Sequence, residues 1–274
     1  MKITIEMLTK DERWRIADRM AADILPVINP KLKEVKPSRS FYAKYVKRFL
    51  DIIVSLTIML ITLPINLILA VVTVFDVGRP IFFFQDRLGK DGKLFKIVKF
   101  RNMRNTTDAN GDLLPPSQRV TKIGKFIRKC SLDELLNFWS ILKGDMSLIG
   151  PRPLLPEHYR RYSSRHVKRL AVRPGLECPP PDIKSHMFSW QDRFENDVWY
   201  VEHVSFLVDC KLFFNIIRMA LNRKSAAARA SVSRGIFMGY NLDGIAITLD
   251  EVPQKYLDQI AEDREQNAEA ANAS

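Results

Sequence analysis

Apolar residues fall into three patterns along this chain. Between Ile52 and Phe75 run 24 consecutive uncharged residues. As a straight helix that run would reach about 36 Å, enough to cross a hydrocarbon core of about 30 Å. The second pattern is short and extended. Gly78–Gln85 predicts a strand, Leu88–Lys93 a turn, and Leu94–Phe100 a returning strand, together a short β-hairpin. The third pattern is helical spacing. It predicts helices over 11–24 (Trp14, Ala17, Ala21), 119–129, 132–143 (Leu135, Phe138, Trp139, Leu142), 155–170 (Tyr159, Tyr162, Val167, Leu170) and 206–221. Pro26, Pro30 and Pro37 predict a linker after the first helix, and the polar stretch 105–117, with Gly111, Pro115 and Pro116, predicts a loop. From Asp250 to Ser274 there are seven acids against Lys255 and Arg264, which predicts a solvated helix and a loose tail. The expected class is α/β, mostly α.

Charge changes the picture of the long apolar run. Residues 31–48 carry seven bases and one acid, and Arg79, Arg87, Lys90 and Lys93 follow the run. The positive-inside rule places both flanks in the cytoplasm. A straight crossing cannot do that, whereas a hairpin that enters the bilayer and returns can. Pro64, central in the run, removes a helical hydrogen bond and kinks the helix. The residues therefore predict a re-entrant membrane helix broken at Pro64, with a simple transmembrane anchor as the plainer reading. Amphipathic helices at 155–170 and 206–221 suit a membrane surface; for the basic 155–170 segment a solvated face is the comparable alternative.

The chain has 274 residues and a formal net charge of +12. Such a balance favours acidic partners: phosphorylated substrates, anionic lipid or nucleic acid. The apolar 52–75 run and the absence of a recognisable nucleic-acid module argue against nucleic acid. Cys130, Cys178 and Cys210 have no metal or redox spacing and suit a reducing compartment, and the four histidines form no zinc motif. Charges at Lys2, Glu6, Lys10, Asp11, Glu12 and Arg13 predict that no cleavable signal peptide starts there.

Candidate chemistry concentrates at 128–153. Ser131-Leu132-Asp133-Glu134 has the spacing of a capping box, which would place both acids in the first turn of a helix ending at Lys143-Gly144. One reading is that the acids only cap. The other is an Asp nucleophile beside a Glu, with Arg128, Lys129 and Arg152 gathered for phosphate; an Asp can form an acyl phosphate. Arg87, Lys99 and Arg101 read singly as solvated charges and together as a basic face for a diphosphate or for lipid headgroups.

Ser131-Leu132-Asp133-Glu134-Leu135, followed by Lys143-Gly144-Asp145-Met146-Ser147-Leu148-Ile149-Gly150-Pro151-Arg152-Pro153, resembles the monotopic phosphoglycosyl transferases among the bacterial sugar transferases. The likeness extends over about residues 44–224, through Gln85-x-Arg87-x-Gly89, Lys99-Phe100-Arg101-x-Met103, Arg173-Pro174-Gly175-Leu176 and Asp197-Val198-Trp199-Tyr200-Val201. It departs at Glu177-Cys178-Pro179-Pro180-Pro181, where the family usually carries Thr-Gly-Trp, and at Leu63, where it often has Ser. The resemblance implies a membrane-embedded monotopic enzyme of the bacterial inner membrane, its catalytic domain on the cytoplasmic face. It would transfer a sugar-1-phosphate from a UDP-sugar to undecaprenyl phosphate with Mg²⁺, releasing UMP, as the first membrane step of polysaccharide, lipopolysaccharide or other glycoconjugate synthesis. It implies Asp133 as nucleophile, Glu134 as its partner or metal ligand, Arg152 as phosphate binder, and Lys99, Arg101, Arg173 and Arg87 as supporting cations. Expected divisions are 1–43 as extension and linker, 44–77 as membrane helix, 78–224 as catalytic domain and 225–274 as C-terminal extension. The alternative function is a non-catalytic membrane-bound scaffold of the same fold. A homo-oligomer stays open.

Overall fold

The computed structural model describes residues 4–107, 114–182, 189–221 and 235–273. In chain order its helices are α1 (Lys10–Ile28), α2 (Lys47–Val77), α3 (Pro116–Arg119), α4 (Lys122–Lys129), α5 (Asn137–Lys143), α6 (Trp190–His203), α7 (Phe206–Leu221) and α8 (Gln254–Ala273). The strands are β1 (Phe82–Leu88), β2 (Leu94–Phe100), β3 (Ser147–Ile149), β4 (Gly175–Glu177), β5 (Phe237–Tyr240) and β6 (Ala246–Thr248), paired as β1–β2, β3–β4 and β5–β6. The fold is mostly helical with short strands, as the class expected. The chain divides into two compact units, one of Met1–Ser38, Leu155–Val172 and Glu177–Ser274, the other of Arg39–Leu154 and Arg173–Leu176. The loop expected over 105–117 lies in part, at 108–113, outside the described residues, as does the 224/225 boundary.

The unit of 39–154 is built on α2. This helix runs unbroken through Pro64 for 31 residues, about 46 Å at the α-helical rise. It is long and apolar enough to cross a membrane, and Leu60, Ile61, Leu67, Ile68 and Phe75 all lie exposed. The Leu60 carbonyl loses its helical donor to the proline ring. Next to it the Thr62 hydroxyl donates to the Ile58 carbonyl at 2.8 Å and accepts from the Asn66 amide at 3.3 Å. The N-terminal end of α2 is tied to the unit by a buried carboxylate: Asp51 accepts from the Ser147 hydroxyl and the Leu148 amide, each at 3.0 Å.

The β-hairpin forms as expected, though β1 begins later and runs to Leu88, pairing Phe82 with Phe100 and Lys99 with Phe83. Phe95 and Ile97 turn inward onto Ile141 and Met146. Phe100 joins Leu69 of α2 and Ile127 of α4, with Leu132, Leu135 and Leu136 packed against them. β3 and β4 approach closely where Gly150 meets Gly175; a Cβ on Gly175 would stand 2.2 Å from the Gly150 nitrogen.

Three expectations fail in the other unit. α1 does not stop at Pro26 but continues to Ile28, because a proline in the last turn removes only the bond to the Ala22 carbonyl. Residues 155–170 are not a basic surface helix. They form 3₁₀ turns at Pro156–Arg161 and His166–Ala171. Arg161 and Arg169, each 1% exposed, are buried with carboxylates: Arg161 meets Asp18 of α1 at 3.4 Å and Arg169 meets Asp197 of α6 at 2.7 Å. α8 is solvated over 265–270, as expected, but its first half is packed and no loose tail follows up to residue 273. It is helical to Ala273, and its Tyr256, Leu257 and Ile260 are buried. Arg264 clasps Glu12 at 2.7 Å, and Asp263 pairs with Arg15 and Arg19.

Candidate active site

Asp133 and Glu134 sit on a single 3₁₀ turn, Leu132–Glu134. The capping box expected at Ser131 does not form. Ser131 adopts the left-handed conformation at φ 54°, its side chain makes no capping bond, and regular helix begins only at Asn137. Packing decides this: Leu132, Leu135 and Leu136 all pack against the Leu69–Phe100–Ile127 cluster. A non-glycine residue in that region costs about 1–3 kcal/mol, and such strain clusters at functional sites.

Glu134 is the hub of an ion cluster. Lys99 Nζ, on β2, donates to Glu134 Oε1 at 2.6 Å. Arg152, just past β3, donates from Nη2 to the same oxygen at 2.5 Å and from Nη1 to the Leu176 carbonyl at 3.1 Å. Burial opposes the Glu134 charge, but the Arg152 and Lys99 charges and hydrogen bonds outweigh it and hold its carboxyl below the ordinary value. Asp133 is treated differently. It is 7% exposed and accepts one side-chain hydrogen bond, from Asn102 Nδ2 to Oδ2 at 3.2 Å. Burial pushes its carboxyl above the ordinary value; the nearby Glu134 charge adds to this, and Lys99 and Arg128 oppose it.

The structure brings Lys99, Asp133, Glu134 and Arg152 together. Three other sequence candidates serve backbone carbonyls. Arg173 Nε donates to the Gly144 carbonyl at 2.9 Å, at the C-terminal end of α5, where Arg48 also holds the Ile141 and Leu142 carbonyls. Arg101 Nη2 donates to the Val77 carbonyl at the end of α2. Arg87 meets the Pro153 carbonyl at 3.4 Å and Gln85 at 2.6 Å. Sequence reasoning missed Asn102, an uncharged polar residue inside a motif with no spacing signal of its own. It also missed Arg48 and Asp51, which were visible as charges at the mouth of the apolar run.

Among the described residues no group of three or more His, Cys, Asp or Glu converges as a metal site. Magnesium asks for less, binding through one or two carboxylates with water and substrate phosphates completing the shell. Of the two acids, Asp133 has no ion-pair partner among the described residues, while Glu134 Oε1 is already held by Lys99 and Arg152.

Residues 42–223 match the bacterial sugar transferase family. Over 175 residues the chain is 39% identical to the uncharacterized sugar transferase EpsL of Bacillus subtilis, covering 64% of this chain and 87% of that one. It is 36% identical over 189 residues to the galactosyl transferase CpsE of Streptococcus agalactiae, covering 64% of this chain and 42% of the relative. It is also 36% identical over 195 residues to a UDP-glucose:undecaprenyl-phosphate glucose-1-phosphate transferase of Klebsiella pneumoniae, covering 66% and 41%. The chain thus spans most of EpsL and about two-fifths of the other two.

Proposed function

The chain belongs to the bacterial sugar transferase family, and from that premise we propose that it transfers a sugar-1-phosphate from a UDP-sugar to undecaprenyl phosphate through a covalent intermediate on Asp133. The observation that carries this reading is the contrast within the acid pair: a buried Asp133 with no ion-pair partner among the described residues, beside a Glu134 held by two cations. A pair split in this way suits one acid to react and the other to organise charge.

In the proposed step an Asp133 oxygen attacks the phosphorus joined to the sugar. The bond from that phosphorus to the UMP oxygen breaks, and UMP leaves with the electron pair. A phosphate oxygen of undecaprenyl phosphate then attacks the same phosphorus. The acyl-phosphate bond breaks, the Asp133 carboxylate is regenerated, and the product is an undecaprenyl diphosphate sugar. No net proton transfer is required. Lys99 spends one N–H on Glu134, so its ammonium keeps others for phosphate oxygens, and the Arg152 guanidinium sets a fixed positive charge beside it. Mg²⁺, when held by Asp133 and Glu134, supplies charge neutralisation between the anionic carboxylate and the diphosphate.

The basic flanks of α2 and its exposed apolar length support an enzyme of the inner membrane with its site on the cytoplasmic face. The bases on both flanks of α2 support a re-entrant rather than a spanning helix, with Pro64 as the point where a break would fall. The test is a panel of UDP-sugars assayed for UMP release with undecaprenyl phosphate and Mg²⁺. Release with at least one donor is expected. A folded, membrane-inserted protein inert toward all of them would favour the non-catalytic scaffold instead.

A further inference from the structure

Asn102 lies two residues beyond the end of β2, and its backbone is fixed on every side. The Arg101 amide donates to the Ile81 carbonyl at 2.9 Å, Met103 bridges to Val120, and the Arg104 amide donates to the Arg119 carbonyl at 3.0 Å. The Asn102 carbonyl is seated against Gly124 of α4, where a Cβ would come within 2.2 Å of it. No other residue type fits that approach without displacing the segment. From this seat the Asn102 amide reaches Asp133 Oδ2 at 3.2 Å.

Among the described residues no other side chain donates to Asp133. Lys99 spends its contact on Glu134, and Arg128 acts only through its charge. The donor is also chemically apt. A neutral amide fixes the direction of a carboxylate without cancelling its charge, whereas a lysine or arginine in the same place would form an ion pair and blunt the nucleophile.

The geometry points to Asn102 as the positioning residue for the Asp133 nucleophile: its N–H pins Oδ2 so that Oδ1 is presented to the sugar-linked phosphorus. This rests on the reading of Asp133 as the nucleophile. It assigns the Gly124–Asn102 contact a purpose as well, since the glycine brings the amide to its station.

The experiment uses the full chain in detergent or nanodiscs, without undecaprenyl phosphate. It measures the single-turnover burst of UMP with whichever of UDP-glucose, UDP-galactose or UDP-N-acetylglucosamine gives the largest wild-type burst. Asn102→Ala should slow the burst by about 10- to 100-fold, the scale of loss that a misplacement of about 1 Å brings. The donor concentration at half-maximal rate should stay near the wild-type value. Asn102→Asp keeps the shape of the side chain but sets a carboxylate against a carboxylate, and should be slower than Ala. Rates are taken per folded, membrane-inserted protein. A wild-type burst rate in Asn102→Ala, or an Asn102→Asp rate at or above that of Ala, would overturn the proposal and leave Asp133 standing. A wild type that turns over one of these donors when undecaprenyl phosphate is added, yet gives no burst without it, would overturn the Asp133 reading itself.

Discussion

Replacing Asp133 by Asn separates chemistry from folding. Asn is nearly isosteric with the buried carboxyl and keeps an acceptor for Asn102, so a hydrogen bond to a charged group becomes a neutral one. Those classes contribute about 1.5–3 and 0.5–1.5 kcal/mol, which puts the structural loss at about 1 kcal/mol and below about 2.5 kcal/mol. A second effect runs the other way. Burial first, with the Glu134 charge behind it, raises the Asp133 carboxyl above its ordinary value, while Lys99 and Arg128 oppose the shift. A carboxyl raised in this way holds its proton more tightly in the folded protein than in the unfolded chain. Wild-type stability therefore falls as pH rises from the unfolded value through the folded one. The Asp133→Asn variant escapes that loss, so it should gain on wild type with rising pH and equal it in acid. Thermal unfolding in detergent without divalent ions reads this directly. Catalysis should behave oppositely. Loss of the nucleophile should lower UMP release by on the order of 10⁴-fold, about 5 kcal/mol of barrier. The sugar-phosphate adduct should vanish from the peptide containing residue 133. A well-folded variant with near-normal turnover would refute the covalent mechanism; one that unfolds early or fails to insert would make Asp133 a structural residue.

Three further outcomes are expected. Single cysteines at Ser40 and Lys90, with native cysteines replaced, should both resist an impermeant thiol reagent in intact cells and react after permeabilisation; labelling of one site alone in intact cells would mark α2 as a full crossing. Ile260→Ala, at a buried position of α8, should cost about 2–5 kcal/mol, the range for such core truncations. A melting curve unchanged from wild type would mean that α8 is not packed in solution. The Arg264 hydrogen bond, outweighing burial and helped by Thr9, holds the Glu12 carboxyl at about 2 instead of 4.5. A depressed carboxyl contributes stability that is present above its unfolded pKa and lost as pH falls through the folded one. Wild type should therefore lose its advantage over Glu12→Gln between pH 4.5 and about 2, and a pH-independent gap between their unfolding midpoints would refute the assignment.

The legible parts of this chain are those whose signal is local. The apolar run of α2 and the alternating residues of the β1–β2 hairpin announce themselves within a few residues, and the Ser131–Leu135 motif carries a family resemblance in its own letters. The failures are contacts between distant residues. Ser131-x-x-Glu134 has the letters of a capping box, but Leu132, Leu135 and Leu136 pack against the Leu69–Phe100–Ile127 cluster and the regular helix starts only at Asn137. Residues 155–170 look like a basic surface helix because the carboxylates that pair with the buried Arg161 and Arg169 stand 143 and 28 residues away in sequence. α8 departs from expectation for a different reason. Its acids dominate the composition, yet Tyr256, Leu257 and Ile260 already have the spacing of one buried face.

The acid pair shows how one turn of chain can give adjacent carboxyls opposite electrostatic settings. Both are shielded from water, so burial alone would raise both. What separates them is the direction each side chain takes from a strained turn. Glu134 points to the place where β2 and the end of β3 deliver Lys99 and Arg152, and its charge is stabilised by both. Asp133 points to the segment after β2, where an amide and no cation meets it. Lys99 is paired with Glu134 rather than with Asp133, and reaches Asp133 through its charge alone. A more strongly paired Asp133 would be a poorer nucleophile, and an unpaired Glu134 would leave two positive charges stacked in a half-buried site. Ser131, in its left-handed conformation at the head of the same turn, is where the chain leaves α4 and enters the segment carrying both acids.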